Sequence, residues 1–339
     1  MTSKEIVYNT LSGKNKGRTA RQLWYLPWAE MYHCEELTNI RTSFPSDILN
    51  IGAALKEKAA TSGDPHEIGT YTDEWGCVYL NRHRGIIGEV KQPLVIGEEW
   101  EDADRVHIPE EWLSFDTDKV NGDIAKNVPD KFILSGHCPR PFERLQFIRG
   151  TENLYIDLML QPAGFLAFKE KLHDFYCRLL KKWAQTDVDG LMIMDDWGSQ
   201  SALLINPVIW EQLFAPMYRD YIEIAHKAGK KIFMHSDGYT LDIIPRLIDL
   251  GLDAINAQLF CMNIDDLKQY RGKITFWGEI DRQRLLPNGT PQDIRNAVKL
   301  VYDNLYDNGH CIAQCEFGPG ANPANVYEVF HEWDVLTKK

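Results

Sequence analysis

The chain has 339 residues, of which 44% are hydrophobic and 25% charged, and a formal net charge of −12. That length suits one α/β barrel, and the composition is that of a globular chain. The negative charge argues against nucleic acid as a partner, because phosphate binding needs a basic surface. No run of about 18 uncharged apolar residues exists to span a membrane.

The opening, Met1-Thr2-Ser3-Lys4-Glu5, runs into a helix-like pattern without the apolar stretch and cleavage site of a signal peptide, so the expected location is the cytoplasm. An odd number of cysteines, seven, speaks against a disulfide framework there and leaves core, reactive or metal-binding roles.

In chain order, Arg21-Gln-Leu-Trp-Tyr-Leu-Pro-Trp28 reads as a first strand. Thr70 to Gly88 has hairpin character, with Trp75-Gly-Cys-Val-Tyr79 and Gly85-Ile-Ile-Gly88, and forms an excursion on the second unit. The acidic stretch Gly97 to Asp118 reads as a surface connection, and Lys131 to Gly136 as a third strand. From there short apolar runs alternate with helix-period stretches. The strands are Gly190–Asp195, Lys231–His235, Asp253–Ala257, Ile274–Gly278 and His310–Gln314. The helices between and after them are Pro207–Ala228, Leu241–Leu250, Ile264–Tyr270, Pro291–Asn308 and Pro323–Leu336. Such alternation means βαβ units and a parallel sheet. Five strands in about 150 residues, without a dinucleotide fingerprint, favour a closed barrel over an open sheet. The expected fold is a single (β/α)8 TIM barrel over residues 1–339, with an N-terminal extension and the hairpin excursion.

In a barrel the strand C-termini converge on one mouth. The residues that fall there are Trp28, His137, Asp195 and Asp196 with Trp197 and Gln200, His235 and Asp237, Cys261, Glu279, and Cys315 with Glu316. His nitrogen, Cys sulfur and carboxylate oxygen are zinc's ligands, and four in a tetrahedron is the usual set. No short CxxC spacing exists, so the strand-end placement carries the argument. His235, Asp237, Cys261 and Cys315 are the candidate metal ligands, and Cys311 is assigned to the core. Asp195, Asp196 and Glu279 are candidate acid/base groups, although the Asp195-Asp196 pair also fits helix capping. Trp28, Trp75 and Trp197, with His137 and Gln200, are candidate substrate contacts, since an aromatic-lined mouth suits a flat apolar ligand or a macrocycle.

Several segments together resemble the uroporphyrinogen-decarboxylase superfamily: Asp195-Asp-Trp-Gly198 with Ile205-Asn-Pro207, His235-Ser-Asp-Gly238 followed by Gly251-Leu-Asp-Ala-Ile-Asn256, Gly278-Glu-Ile-Asp281, and Gly318-Pro-Gly-Ala-Asn-Pro-Ala-Asn325. The resemblance runs from Glu5 to the end. Its order and spacing are more specific than any one motif. True decarboxylases of this kind carry an N-terminal Arg-Gln-Ala-Gly-Arg grip for substrate carboxylates, and here the first strand lacks it.

The other branch, the corrinoid-linked methyltransferases, binds zinc through His-x-Cys and a distant Cys. The resemblance matches these to His235 and Cys315 and puts Asp237 in place of the middle Cys. Either Asp237 is an oxygen ligand, or Cys261 completes the set, or the site holds no metal. The resemblance implies zinc, a small methylated substrate such as an aromatic methyl ether, and transfer of the methyl group to a Co(I) corrinoid. With no Asp-x-His-x-x-Gly corrinoid segment in the chain, the cobalamin comes on a separate protein that docks at the mouth; a homodimer is also compatible. The alternatives are transfer from methylcorrinoid to a thiol or tetrahydrofolate, a cofactor-free decarboxylase, and a tetrapyrrole-binding module.

Overall fold

The computed structural model describes residues 1–338. The barrel strands are β1 (Arg21–Tyr25), β2 (Ile48–Asn50), β3 (Phe132–Leu134), β4 (Gly190–Met194), β5 (Lys231–Ser236), β6 (Ala254–Ala257), β7 (Thr275–Trp277) and β8 (Cys311–Phe317). They are parallel and pair in the order β1-β8-β7-β6-β5-β4-β3-β2, with helices around them. The molecule is therefore an α/β TIM barrel.

The seam between β1 and β2 lacks a regular ladder and is stitched largely by side chains. Asp47 N donates to the Arg21 carbonyl (2.8 Å), and the Arg21 amide returns to Asp47 Oδ2 (3.0 Å). Leu23 N donates to Ser46 Oγ (3.1 Å), and Gln22 Nε2 to Asn50 Oδ1 (3.1 Å). The buried Asp47 carboxylate also takes both terminal nitrogens of Arg18, at 2.6 and 2.8 Å.

Successive strand residues face opposite sides of the wall. The inward set begins as an apolar plug of Phe132, Met192, Phe233, Ala254, Trp277 and Ile312. Helix Ser3–Leu11 closes the lower end through Ile6 and Val7, and its start is fixed by a capping box between Thr2 and Glu5. Towards the strand C-termini the inward set turns polar, with Gln22, Asn50, His235, Asn256 and Gln314.

Several boundaries move from the sequence reading, each for a local reason. The first strand stops at Tyr25 because Pro27 opens a helix, Pro27–Tyr32. The single helix expected over Pro207–Ala228 is two, Pro207–Leu213 and Ala215–Lys227, because Pro216 has no N–H for the preceding turn. The excursion is a three-stranded antiparallel sheet, Gly69–Thr72, Val78–Asn81 and Glu89–Val90, so Trp75 and Gly85 fall in its turns. The Gly97–Asp118 connection is not purely superficial. Trp100 and Trp112 are buried, and Trp100 Nε1 donates to Asp157 Oδ2 at 2.8 Å. No helix among the described residues is long and apolar enough to cross a membrane.

Replacing Asp47 by Ala would strand the Arg18 guanidinium and open the seam. Urea unfolding of Asp47→Ala is expected to show a loss of about 3–5 kcal/mol, the cost of a buried ion pair deprived of one partner. A loss below roughly 1 kcal/mol, the range of an exposed pair, contradicts the role given to the seam.

Candidate functional site

The loops after β4 and β5 meet at the mouth. Gly198 and Gly238 lie back to back there, and a Cβ on either would overlap the other loop's backbone. Gly238 also has a φ of +75°, which side-chain-bearing residues rarely adopt. This approach brings three side chains together. His235 Nε2 lies 3.6 Å from Asp196 Oδ1 and 3.5 Å from Asp237 Oδ1. The Asp237 amide donates to Asp196 Oδ1 (2.8 Å) and holds that carboxylate in place.

The imidazole is oriented from behind. His235 and Asn256 are register partners on β5 and β6, and His235 Nδ1 is 2.6 Å from Asn256 Oδ1. The Asn256 amide nitrogen donates to the carbonyl of Trp277 on β7. A carbonyl can only accept, so the amide nitrogen faces Trp277 and its oxygen faces His235. Nδ1 therefore carries a hydrogen in either protonation state, and it is the neutral ring that presents an Nε2 lone pair towards the two aspartates. This is the second-shell arrangement that prepares a histidine for a metal. Two ligand atoms on a tetrahedral zinc lie about 3.3 Å apart, given bonds of roughly 2.0–2.1 Å. The spacings at His235 match that separation closely, so Asp196, His235 and Asp237, which offer ligand atoms all within 4.8 Å of one another, fit a zinc ion.

Beside this set lies a cluster of acids around one cation. The Arg282 guanidinium contacts Asp237, lies 3.2 Å from Glu316 Oε1, and places Nε 3.3 Å from Glu279 Oε2 without making a hydrogen bond to it. Gln258 Nε2 donates to Asp237 Oδ1 at 3.3 Å. Glu279 is 1% exposed, and neither of its oxygens has a hydrogen-bond partner. Burial pushes its carboxyl up to about 8; Arg282 opposes the shift, and Asp237 and Glu316 add to it. At neutral pH Glu279 is thus a protonated acid and a competent proton donor. Burial also raises Asp196, against the pull of His235.

Of the residues the sequence singled out, Asp196, His235 and Asp237 come together. Glu279, Gln200 and Cys261 line the adjoining cleft with Gln258, Phe260 and Arg282. Cys261 Sγ lies 3.3 Å from Gln258 Oε1 and 3.6 Å from Gln200 Oε1, outside the His235 cluster.

The others lie elsewhere. Cys315 pairs in register with Leu23 and packs in the outer core with Cys311, because residues four apart on a strand share a face. Asp195 points outward as well. Its oxygens accept from the amides of Phe142 (3.1 Å) and Glu143 (2.8 Å) and from the Tyr218 hydroxyl (2.9 Å), so it caps helix Pro141–Arg149.

Trp197 is fully buried, stacked 4.4 Å from Phe142 and donating to Tyr218. Trp75 packs on Trp112 and Phe175 with the Arg144 guanidinium 4.7 Å from its ring, and His137 stacks on Trp112 at 4.4 Å. Trp28 lies half-buried against Tyr32, His33 and Phe317. The tryptophan against His235 is Trp24, at 5.1 Å between ring centres, and Trp277 stands edge-on to Trp24. Asn256 and Arg282 escaped the sequence reading. A polar residue inside the apolar run Ala254–Ala257 was the available signal for the first; nothing local marked the second.

Fold and mouth define the class: a parallel α/β barrel with a histidine–carboxylate set at the strand C-termini. Residues 81–334 match the model of the uroporphyrinogen decarboxylase family, and the chain belongs to that family. Among solved structures it is similar to a methyltransferase from Methanosarcina mazei over 99% of each chain, with a TM-score of 0.66 and 14% identity, a likeness of fold. Weaker similarity extends to 3-keto-D-glucoside 4-epimerase from E. coli (TM-score 0.38, 14% identity, 65% of this chain and 84% of that one). A D-psicose 3-epimerase is comparable (TM-score 0.39, 12% identity, 67% and 85%); neither bears on function. No curated protein matches the chain.

Because folded Glu279 keeps its proton where the unfolded chain has lost it, its contribution to stability falls as pH rises from about 4.5, its ordinary value, to about 8. The melting temperature of Glu279→Gln, relative to wild type, is expected to climb across that window and level off above it. A pH-independent difference contradicts a buried neutral acid.

Proposed function

We propose that the protein is a zinc-dependent methyltransferase. In this reading it takes the methyl group from a small methylated compound, best an aromatic methyl ether, and passes it to a Co(I) corrinoid carried by a separate protein docked at the mouth. One observation carries the reading: the His235, Asp196 and Asp237 ligand atoms lie at metal-chelating spacing, with His235 Nδ1 already committed to Asn256. Family membership and the likeness to a methyltransferase fold support an enzyme of this type. The decarboxylase alternative is disfavoured by the first strand. Arg21 is paired with Asp334 (3.0 Å) and Arg18 with Asp47 (2.6 Å), both at the end of the barrel opposite the mouth.

His235, Asp196 and Asp237 would hold the zinc. When bound, it supplies Lewis acidity at the ether oxygen, and a set without thiolate leaves it a stronger acid than a sulfur-rich one. The chain's own residues account for the rest. Asn256 keeps the His235 lone pair aimed. Arg282 and Gln258 hold Asp237 in position. Trp24, against His235, offers a flat apolar wall to an arene. As the carbon–oxygen bond breaks, its electron pair stays on oxygen, and Glu279 delivers the proton that makes the departing group a neutral phenol. The electron pair that takes up the methyl group would come from the partner's Co(I) corrinoid.

The purified protein with zinc, a reduced corrinoid protein and guaiacol is expected to yield catechol. His235→Ala should reduce the rate at least about 10-fold, since loss of a metal ligand should cost no less than loss of its second-shell partner. Absence of catechol-type product from any methoxyarene tested would sink the proposed substrate class.

A further inference from the structure

A second set of ligand-type side chains converges on the outside of the barrel. Helix Ala163–Ala184 carries His173 and Cys177 four residues apart, hence on one face. Helix Ala215–Lys227 packs beside it and brings in Asp220. His173 Nε2 is 2.9 Å from Asp220 Oδ2 and 3.7 Å from Cys177 Sγ, and one ligand atom from each residue lies within 4.8 Å of the others.

On a tetrahedral zinc, sulfur and nitrogen ligands lie about 3.6 Å apart and nitrogen and oxygen about 3.3 Å, given bonds of roughly 2.3 and 2.0–2.1 Å. The sulfur is at that distance from Nε2 but also 3.8 Å from Nδ1, so it must swing towards the Nε2 side of the ring to share an ion with it, and the exposed Asp220 must retreat a few tenths of an ångström. The back of the ring is also provided for. His173 Nδ1 lies 3.3 Å from the hydroxyl of Tyr221, which burial keeps in its neutral form. The hydroxyl can accept or donate, so this contact permits the tautomer with hydrogen on Nδ1 and the lone pair on Nε2, the one that a bound metal would select.

We infer that His173, Cys177 and Asp220 form a second divalent-metal site, of zinc type, that clamps helix Ala163–Ala184 to helix Ala215–Lys227. Its three protein ligands leave one coordination position to water on the exposed Asp220 side. It is separate from the mouth and independent of the methyl-transfer reading.

Cobalt(II) distinguishes the two sites, because a thiolate ligand gives a near-ultraviolet charge-transfer band and the His235 set contains no sulfur. Titration of the metal-stripped full-length protein is expected to develop that band, saturating by two equivalents of added cobalt, since the sulfur-free set at the mouth takes up one. The band should vanish in Cys177→Ser and persist in His235→Ala and in Cys261→Ser. Failure of wild type to show the band overturns the site without recourse to any variant, as does a band that survives in Cys177→Ser. In either case His173 and Asp220 are an ordinary interhelical ion pair.

Discussion

The hydrogen bond from His235 Nδ1 to Asn256 Oδ1 is the interaction on which the mouth depends. It spans β5 and β6, and Asn256 extends it to the backbone of β7, so three adjacent strands fix one imidazole. Without it the ring could present either nitrogen to Asp196 and Asp237. With it, Nε2 is the nitrogen that meets two carboxylate oxygens, at nearly equal distances. Barrel closure serves this geometry from the far side: the side-chain stitching of Asp47, Ser46 and Asn50 completes the wall from which Trp24 approaches His235.

The mouth concentrates negative charge around limited positive charge. Asp196, Asp237, Glu279 and Glu316 gather about His235 and the guanidinium of Arg282, and Arg140 also acts on Asp196. Desolvated like charges cannot all remain ionised. The strain is relieved by protonating the most buried member, Glu279. The same arrangement that invites a cation therefore keeps a proton available beside it. The proposed acid and ligand roles divide among the carboxylates by depth: Glu279 is buried, whereas Asp196 and Asp237 remain about one-third exposed. Asp195, though adjacent in sequence to Asp196, is spent on a helix N-terminus on the other side of the wall.

The barrel was legible because its second half repeats strand and helix at short intervals, and the strand-end rule located the mouth. What the sequence reading lacked was parity. Cys311 and Cys315 were given different roles although four residues on a strand return to the same face, and Asp195 and Asp196 were treated alike although neighbours face opposite ways. The tryptophans misled for a related reason. Trp75 and Trp197 serve the outer core, whereas Trp24, on an inward position of β1, reaches the site. For Arg282 only Glu279, three residues before it, is local; its other two carboxylates, Asp237 and Glu316, come from the ends of β5 and β8. β3 falls within the expected Lys131–Gly136 strand, whereas β2, three residues soon after Pro45, carries no strand signal of its own.

The central claim is that His235, Asp196 and Asp237 chelate zinc. Anomalous diffraction from crystals of the zinc-loaded protein, recorded on both sides of the zinc absorption edge, tests it most directly. The account predicts an edge-dependent peak within bonding distance of His235 Nε2 and of oxygens from both aspartates, with Nδ1 still on Asn256. A mouth without such a peak, or a zinc bound there through Cys261 with His235 disengaged, would contradict it.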